Sequence, residues 1–268
     1  MQVAFIGGGM MAEAILKGLR AGDKVKPKNI VVSDVCSERR QLVCDNYGIS
    51  VTSDNCQALK NADIVIIAVK PNVLRDVLEE LSGRIQVSQL VLSIVAGATL
   101  ASIRDGLGHQ SIVRAMPNTP AQIGEGITVW TSTDEVSEAQ KQKACSILKS
   151  LGHEYYVPEE KYVDMATAVS GSGPAYVFLV IESLIDAAVH IGLPRSMAEE
   201  LVLHTMSGST HLVQQTQKHP AELRNMVTSP GGTTAEGIQE LEQGSIRALF
   251  TQAIMASYEK AKDLGRGR

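Results

Sequence analysis

Through the first half of the chain, short unbroken apolar runs alternate with stretches of helical periodicity. The runs cover residues 3–6, 30–32, 64–69, 90–95 and 112–114 and are built mainly from Val, Ile and Leu. A strand covered by helices on both faces has no polar face to show, so it reads as a continuous apolar run and not as an alternation. Runs of this kind separated by helical segments predict a doubly wound, mostly parallel α/β sheet. Residues 11–19 and 37–47 are the clearest intervening helices, stopped by Gly22 and Gly48, both read as left-handed terminal glycines. Residues 129–131 and 155–157 extend the sheet as late strands.

Beyond residue 159 the β-branched clusters vanish and helix-period segments take over at 162–169, 174–191, 196–217, 222–227 and 234–264. The expected division is an α/β domain over residues 1–160 and an all-helical domain over 161–268. Residues 175–189 are apolar around nearly the whole helix circumference, interrupted chiefly by Glu182, Ser183 and Asp186. Such a helix must be covered on all sides, which a small helical domain cannot do alone. The pattern therefore predicts a homodimer through the helical domain, with a higher homo-oligomer left open.

Composition acts mainly by exclusion. The 268 residues are 44% hydrophobic and 20% charged, with a formal net charge of −4. No Lys/Arg-rich block offers a basic face, so neither nucleic acid nor an anionic membrane is an expected partner. No unbroken apolar run approaches the ~20 residues that span a bilayer. Met1 leads within two residues into the first strand, with no basic and apolar leader. Cys36, Cys44, Cys56 and Cys145 lack any CxxC spacing, as expected of reduced thiols in a cytoplasmic protein. The six histidines form no HExxH or i,i+4 pair, and no metal is expected.

The candidate chemistry begins at the first strand, where VAFIGGGMMA feeds a G-x-G-x-x-A turn into a helix. Gly7 permits the tight turn, Gly9 lets the backbone approach a pyrophosphate, and Ala12 allows the helix to pack close to the sheet. The helix start then aims N–H groups at phosphate. Asp34 follows about 20 residues on, where a carboxylate accepts hydrogen bonds from ribose hydroxyls and repels a 2′-phosphate. Against this, Ser33, Ser37, Arg39 and Arg40 offer either a cationic cradle for that phosphate or simply a solvated helix start. The choice between NAD and NADP stays open at this point, and tolerance of both is the expectation. Lys70 and Pro71 close the run at 64–69, and Lys70 is either a ribose or nicotinamide ligand or a surface lysine. Ala96, Gly97, Ala98 and Thr99 leave room for a flat ring, beside the Pro-bracketed loop at residues 116–120.

Two Gly/Ser loops, SGSGPAY (170–176) and SPGGTTAE (229–236), are expected to open helices. Pro174 suits a first helical turn, and Thr233 with Glu236 reads as a capping box. Ser229, Gly231, Gly232, Thr233 and Thr234 exceed what a cap requires, and free helix N–H groups there suit a small carboxylate.

Taken together, FIGGGMMAEAI, Asn55, AVKP (68–71), AGAT (96–99), RAMPNTP (114–120), SGSGPAY and SPGGTT resemble the pyrroline-5-carboxylate reductase family, from Val3 to Lys262. The resemblance implies a Rossmann domain followed by an all-α dimerisation domain. It implies NAD(P)H-dependent reduction of 1-pyrroline-5-carboxylate to L-proline by hydride transfer to the C=N carbon. It assigns Gly7, Gly9, Met10, Met11 and Asn55 to the dinucleotide, with Ala68, Lys70, Ala96 and Asn118 toward ribose and nicotinamide. Thr233 and Thr234 become substrate contacts, with the Thr234 hydroxyl on the ring nitrogen. Ala221, Arg224 and Asn225 depart from the family's usual Gly, Lys and Asp. Two rival readings are a β-hydroxyacid-type dehydrogenase, for which Lys161 and Lys218 are poor acid/base candidates, and a regulator that senses NAD(P)H without turnover.

Overall fold

The computed structural model describes residues 1–22 and 24–265. The elements run β1 (Val3–Ile6), α1 (Met10–Ala21), β2 (Ile30–Ser33), α2 (Ser37–Tyr47), β3 (Ser50–Thr52), α3 (Asn55–Leu59), β4 (Ile64–Ile67), α4 (Leu74–Leu81), β5 (Leu90–Ser93), α5 (Leu100–Leu107), β6 (Ile112–Met116), β7 (Gly126–Ser132), α6 (Glu138–Leu148) and β8 (Gly152–Tyr156). They continue as α7 (Lys161–Ala166), α8 (Gly173–His190), α9 (Arg195–Thr216), α10 (Pro220–Met226), α11 (Thr233–Gln243) and α12 (Ile246–Gly265). The strands form one eight-stranded sheet in the order 3-2-1-4-5-6-7-8. Strands β1 to β6 are mutually parallel, β7 is antiparallel to β6, and β8 is parallel to β7.

The apolar runs work as expected for a sheet covered twice. Val3 and Phe5 of β1 join the core on one face with Leu16, Leu19, Ile147 and Leu148. Ala4 and Ile6 join the other with Val77, Leu81, Ile103 and Leu107. Each fully buried Ile, Leu or Phe in these layers contributes about 1.5–3 kcal/mol. The covered sheet lies within a compact unit of Met1–Ser172 and the C-terminal stretch from Ser257; Gly173–Ala256 forms a second unit.

Several local expectations are corrected. Gly48 is left-handed at φ +62, but Gly22 has φ −88, its N–H bonded back to Gly18 and Arg20. Strand β3 has no counterpart in the sequence pattern because its SVT segment lies at the sheet edge, partly exposed, and needs no apolar run. The helix expected over 234–264 is two helices, broken where Ser245 takes φ +59. The SGSGPAY segment opens α8 at Gly173, with Pro174 in its first turn, but a helical turn precedes it in place of a loop. Thr167–Gly171 is a π turn between α7 and α8, with the Thr167 and Ser170 hydroxyls donating to the carbonyls of Val163 and Ala166. The result is a 30-residue helical stretch, Lys161–His190, long and apolar enough to cross a membrane by length and composition, although little of it is buried within the chain. Unbroken apolar runs alone do not reveal it, because polar residues interrupt the stretch.

Candidate active site

The sheet order reverses at β1, which lies between β2 and β4, and ligands of open parallel sheets bind beyond the strand C-termini at such a switch point. Most of the candidate residues lie there because each follows a strand end: Gly7 after β1, Asp34 after β2, Ala68 after β4, Ala96 after β5 and Asn118 after β6. The turn is tied on both sides, with Gly7 N–H donating to the Ser33 carbonyl at 2.7 Å and Ala68 N–H to the Ile6 carbonyl at 2.8 Å.

The glycines of the turn separate by role. Gly7 has φ +97, and a Cβ there would stand 2.8 Å from the Ala68 carbonyl oxygen. Gly9 has φ −65 and opens onto space, with no atom within 4 Å of where a Cβ would stand. It is the N-cap of α1, where no side chain caps the helix. Open space over an uncapped helix start fits a dinucleotide pyrophosphate. Met10 beside it is exposed and Met11 half-buried.

A charged network braces this turn. Asp34 accepts from Gly8 N–H (2.7 Å) and Cys36 N–H (2.9 Å). Arg39 donates to the Gly8 carbonyl and pairs with Glu13, so both ends of the Gly8 residue are held by side chains. Tyr47 Oη donates to Glu13 at 3.1 Å. Burial pushes the Glu13 carboxyl up, but hydrogen bonds from Arg39 and Tyr47 outweigh it and hold the group below its ordinary value. Burial, then the Glu13 carboxylate, pushes the Tyr47 phenol up to about 12.

Other candidates carry partners the sequence did not disclose. Ser33 is fully buried and its hydroxyl has no partner among the described residues, so it is not presented at the open edge. Asn55 Nδ2 donates to Glu80 at 2.7 Å. Asn118 Oδ1 accepts from Ile127 N–H at 2.9 Å. Lys70 and Pro71 are exposed where β4 leaves the sheet, and Pro71 starts a short 3₁₀ turn. The side of Gly97 that was expected to leave room for a ring faces Leu264 of α12, whose Cβ lies 2.6 Å from where a Gly97 Cβ would be.

The sequence pattern did not disclose the role of Arg114. This arginine sits inside an apolar strand, is 2% exposed, and donates to Glu160 at 2.7 Å and to Asp164 at 2.5 Å. Glu160 also accepts from the N–H of Leu100 at the start of α5. The one available signal was a lone charge within an apolar run.

In the second unit, Gly231 has φ +67 and Gly232 is the N-cap of α11. Thr233 is already helical and no side chain caps the helix, so the expected capping box does not form. The Gly232 N–H donates to the Ser229 carbonyl at 3.0 Å and is not free for a ligand. Thr233 and Thr234 are exposed at the head of the helix. Anionic ligands are favoured at such an end.

Comparison with known proteins adds the lineage. The model described as pyrroline-5-carboxylate reductase dimerisation matches residues 160–264, and that described as NADP oxidoreductase coenzyme F420-dependent matches residues 2–97. A pyrroline-5-carboxylate reductase of Synechocystis is 42% identical over 266 residues, covering 99% of each chain. The chain belongs to the pyrroline-5-carboxylate reductase family. Among solved members, the Coxiella burnetii enzyme superposes with a TM-score of 0.88 at 39% identity, covering 98% of each chain. The Plasmodium falciparum enzyme, solved with NADP bound, gives a TM-score of 0.91 at 34% identity, covering 99% of this chain and 98% of its own. Within this family, the α/β sheet is the Rossmann part and the helical region corresponds to the dimerisation part.

Proposed function

We propose that the chain reduces 1-pyrroline-5-carboxylate to L-proline with NAD(P)H, the last step of proline biosynthesis. The observation that carries this reading is the end-to-end match to pyrroline-5-carboxylate reductases, since both glycine-rich segments, 7–12 and 229–234, lie inside matched spans. NAD(P)H supplies the hydride that goes to the C=N carbon. The chain supplies position and electrostatics. Gly7 and Gly9 shape the pyrophosphate turn, with Met10 and Met11 beside it. Asp34 and Asn55 serve the adenosine side, and Ala68, Lys70, Pro71, Ala96 and Asn118 the ribose and nicotinamide side.

The N–H groups of Thr233 and Thr234, with Gly231, hold the substrate carboxylate at the head of α11, and the Thr234 hydroxyl orients the ring nitrogen. Ser229 and Gly232 shape that loop through their mutual hydrogen bond. Holding the reacting atoms in register is the main source of rate. No acid or imidazole is assigned as proton donor; the imine arrives protonated or takes its proton from water.

The assay is NAD(P)H oxidation on addition of 1-pyrroline-5-carboxylate, set against a 3-hydroxyacid with NAD(P)+ and against cofactor alone. Turnover of the hydroxyacid alone, or none, refutes the reading. Thr234→Ala is expected to lower kcat/KM by about tenfold or more, and full retention removes Thr234 from its role.

The protein works on a small molecule as a homo-oligomer. The finer reading is a homodimer built through the helical region that follows a dinucleotide-binding domain; the expected boundary between residues 160 and 161 is displaced, since α7 and the chain from Ser257 group with the sheet and Gly173–Ala256 is the separate helical unit. Val177, Phe178, Leu179 and Leu184 of α8 are exposed in the single chain, and a second protomer is the cover that explains them. We infer the same explanation for the apolar Lys161–His190 stretch, in place of a bilayer. All four cysteines are free thiols, in keeping with a cytoplasmic enzyme that needs no nucleic acid or membrane.

A further inference from the structure

We propose that this enzyme prefers NADH to NADPH, and that the turn from Asp34 to Glu38 excludes a 2′-phosphate. The proposal rests on reading the Gly7–Gly9 turn as the dinucleotide site and deepens that reading by naming the dinucleotide. It separates this chain from the Plasmodium falciparum relative solved with NADP.

A carboxylate at the end of the second strand is placed for the adenosine ribose. Here Asp34 is fixed there by two backbone N–H groups, from Gly8 and Cys36, which restrain its side chain without neutralising its charge. A second carboxylate lies one turn along. Glu38 accepts from the Cys36 thiol at 3.2 Å and the Ser37 hydroxyl at 3.0 Å, so Cys36 links the two acids through its N–H and its Sγ. Hydrogen bonds from its own backbone N–H, then Cys36 and Ser37, hold the Glu38 carboxyl below the ordinary value. A phosphate monoester carrying about −1.5 to −2 charges would meet both acids.

The donors that would have to neutralise that phosphate are already committed. Ser33 is buried beneath the edge. Ser37 donates to Glu38. Arg39 is turned inward to the Gly8 carbonyl and Glu13. Arg40 Nη1 donates to the carbonyls of Asp34 at 2.7 Å and Val35 at 3.1 Å. Recruiting Arg39 would leave Glu13 without its cation and release the Gly8 carbonyl, loosening the turn that binds the pyrophosphate. Recruiting Arg40 would give up two carbonyl bonds to place one guanidinium between two carboxylates. The ribose 2′-hydroxyl asks for neither change, because Asp34 retains lone pairs to accept from it.

The test compares kcat/KM for NADH and NADPH with 1-pyrroline-5-carboxylate on the full-length enzyme. The expected preference for NADH is about tenfold or more, as for a site built around a hydroxyl it accepts from. In Asp34→Asn/Glu38→Gln the ratio should fall toward unity, chiefly through a lower KM for NADPH. A readout independent of turnover is displacement of bound NADH, followed by its fluorescence, with 5′-AMP and with adenosine 2′,5′-bisphosphate. The expected result is tighter binding of 5′-AMP. Equal or reversed preference in the unmodified enzyme, by rates or by displacement, overturns the proposal. If 1-pyrroline-5-carboxylate is not reduced with either cofactor while 5′-AMP still binds more tightly, the enzyme assignment fails and this proposal stands.

Discussion

Replacing Arg114 by Met tests the ion cluster that ties the start of α7 to β6. Methionine keeps the length and apolar stem but removes the charge and both hydrogen bonds. The Arg114 side chain is 3% exposed, against 29% for Glu160 and 19% for Asp164. Removing one member of a buried ion pair costs about 3–5 kcal/mol, because its partner is left charged and uncompensated. Water reaches the carboxylates in part, and Glu160 keeps the Leu100 N–H, so the expectation here is about 2–3 kcal/mol. For a chain of this size that corresponds to a drop in Tm of about 4–12 °C. Urea unfolding at fixed protomer concentration gives the free-energy difference without a shift from mass action. Hydrogen exchange should show the loss concentrated in α7. A triple variant, Arg114→Met with Glu160→Gln and Asp164→Asn, removes the uncompensated charges and should recover at least half of the loss. A single variant within about 0.5 kcal/mol of the parent, or a triple variant no better than the single, refutes the cluster as a structural tie.

Gly7→Ala should cost about 1–3 kcal/mol, from its positive φ and the Ala68 carbonyl, whereas Gly9→Ala should fold within about 0.5 kcal/mol of the parent yet bind NADH about tenfold or more weakly. Normal NADH binding by Gly9→Ala, followed by fluorescence titration, would move the dinucleotide off this turn. Tyr47 should ionise near pH 12, read as the difference in tyrosinate absorbance between the parent and Tyr47→Phe. Because its pKa is raised, the stability it lends is complete below its ordinary value of 10.0 and lost as pH climbs toward about 12. A midpoint near 10.0 would remove the Glu13 contact from the account. Sedimentation at micromolar concentration should return a dimer or larger assembly, and a monomer would leave the apolar face of α8 unexplained.

What could be read from the sequence divides by the range of the interaction. The turn at Gly7 and Gly9 was legible because its geometry depends on residues a few positions apart and on the strand and helix that flank it. The covered strands were legible because apolar runs record burial directly. Local signs failed where two structures satisfy the same pattern. Gly22 and Gly48 look alike in sequence, yet only Gly48 needs the left-handed region. Thr233 and Glu236 have capping-box spacing, but the helix starts one residue earlier than that motif requires, with Gly232 as its cap.

The largest gap lies in the long charged side chains. Arg39 and Arg40 read as ligands of a phosphate because they sit near the adenosine end of the site and carry the right charge. Glu13, which holds Arg39, lies 26 residues earlier in the chain, and the carbonyl Arg39 also reaches lies 31 residues earlier. Arg114 finds its acids 46 and 50 residues later. A guanidinium reaches several ångströms in many directions and pairs with whichever acceptor the fold brings within that reach. Periodicity records which face is buried and carries no trace of that choice. The same limit explains why sequence left the dinucleotide open: both the excluding acids and the neutralising cations were present, and only their hydrogen-bond partners decide which group faces the ribose.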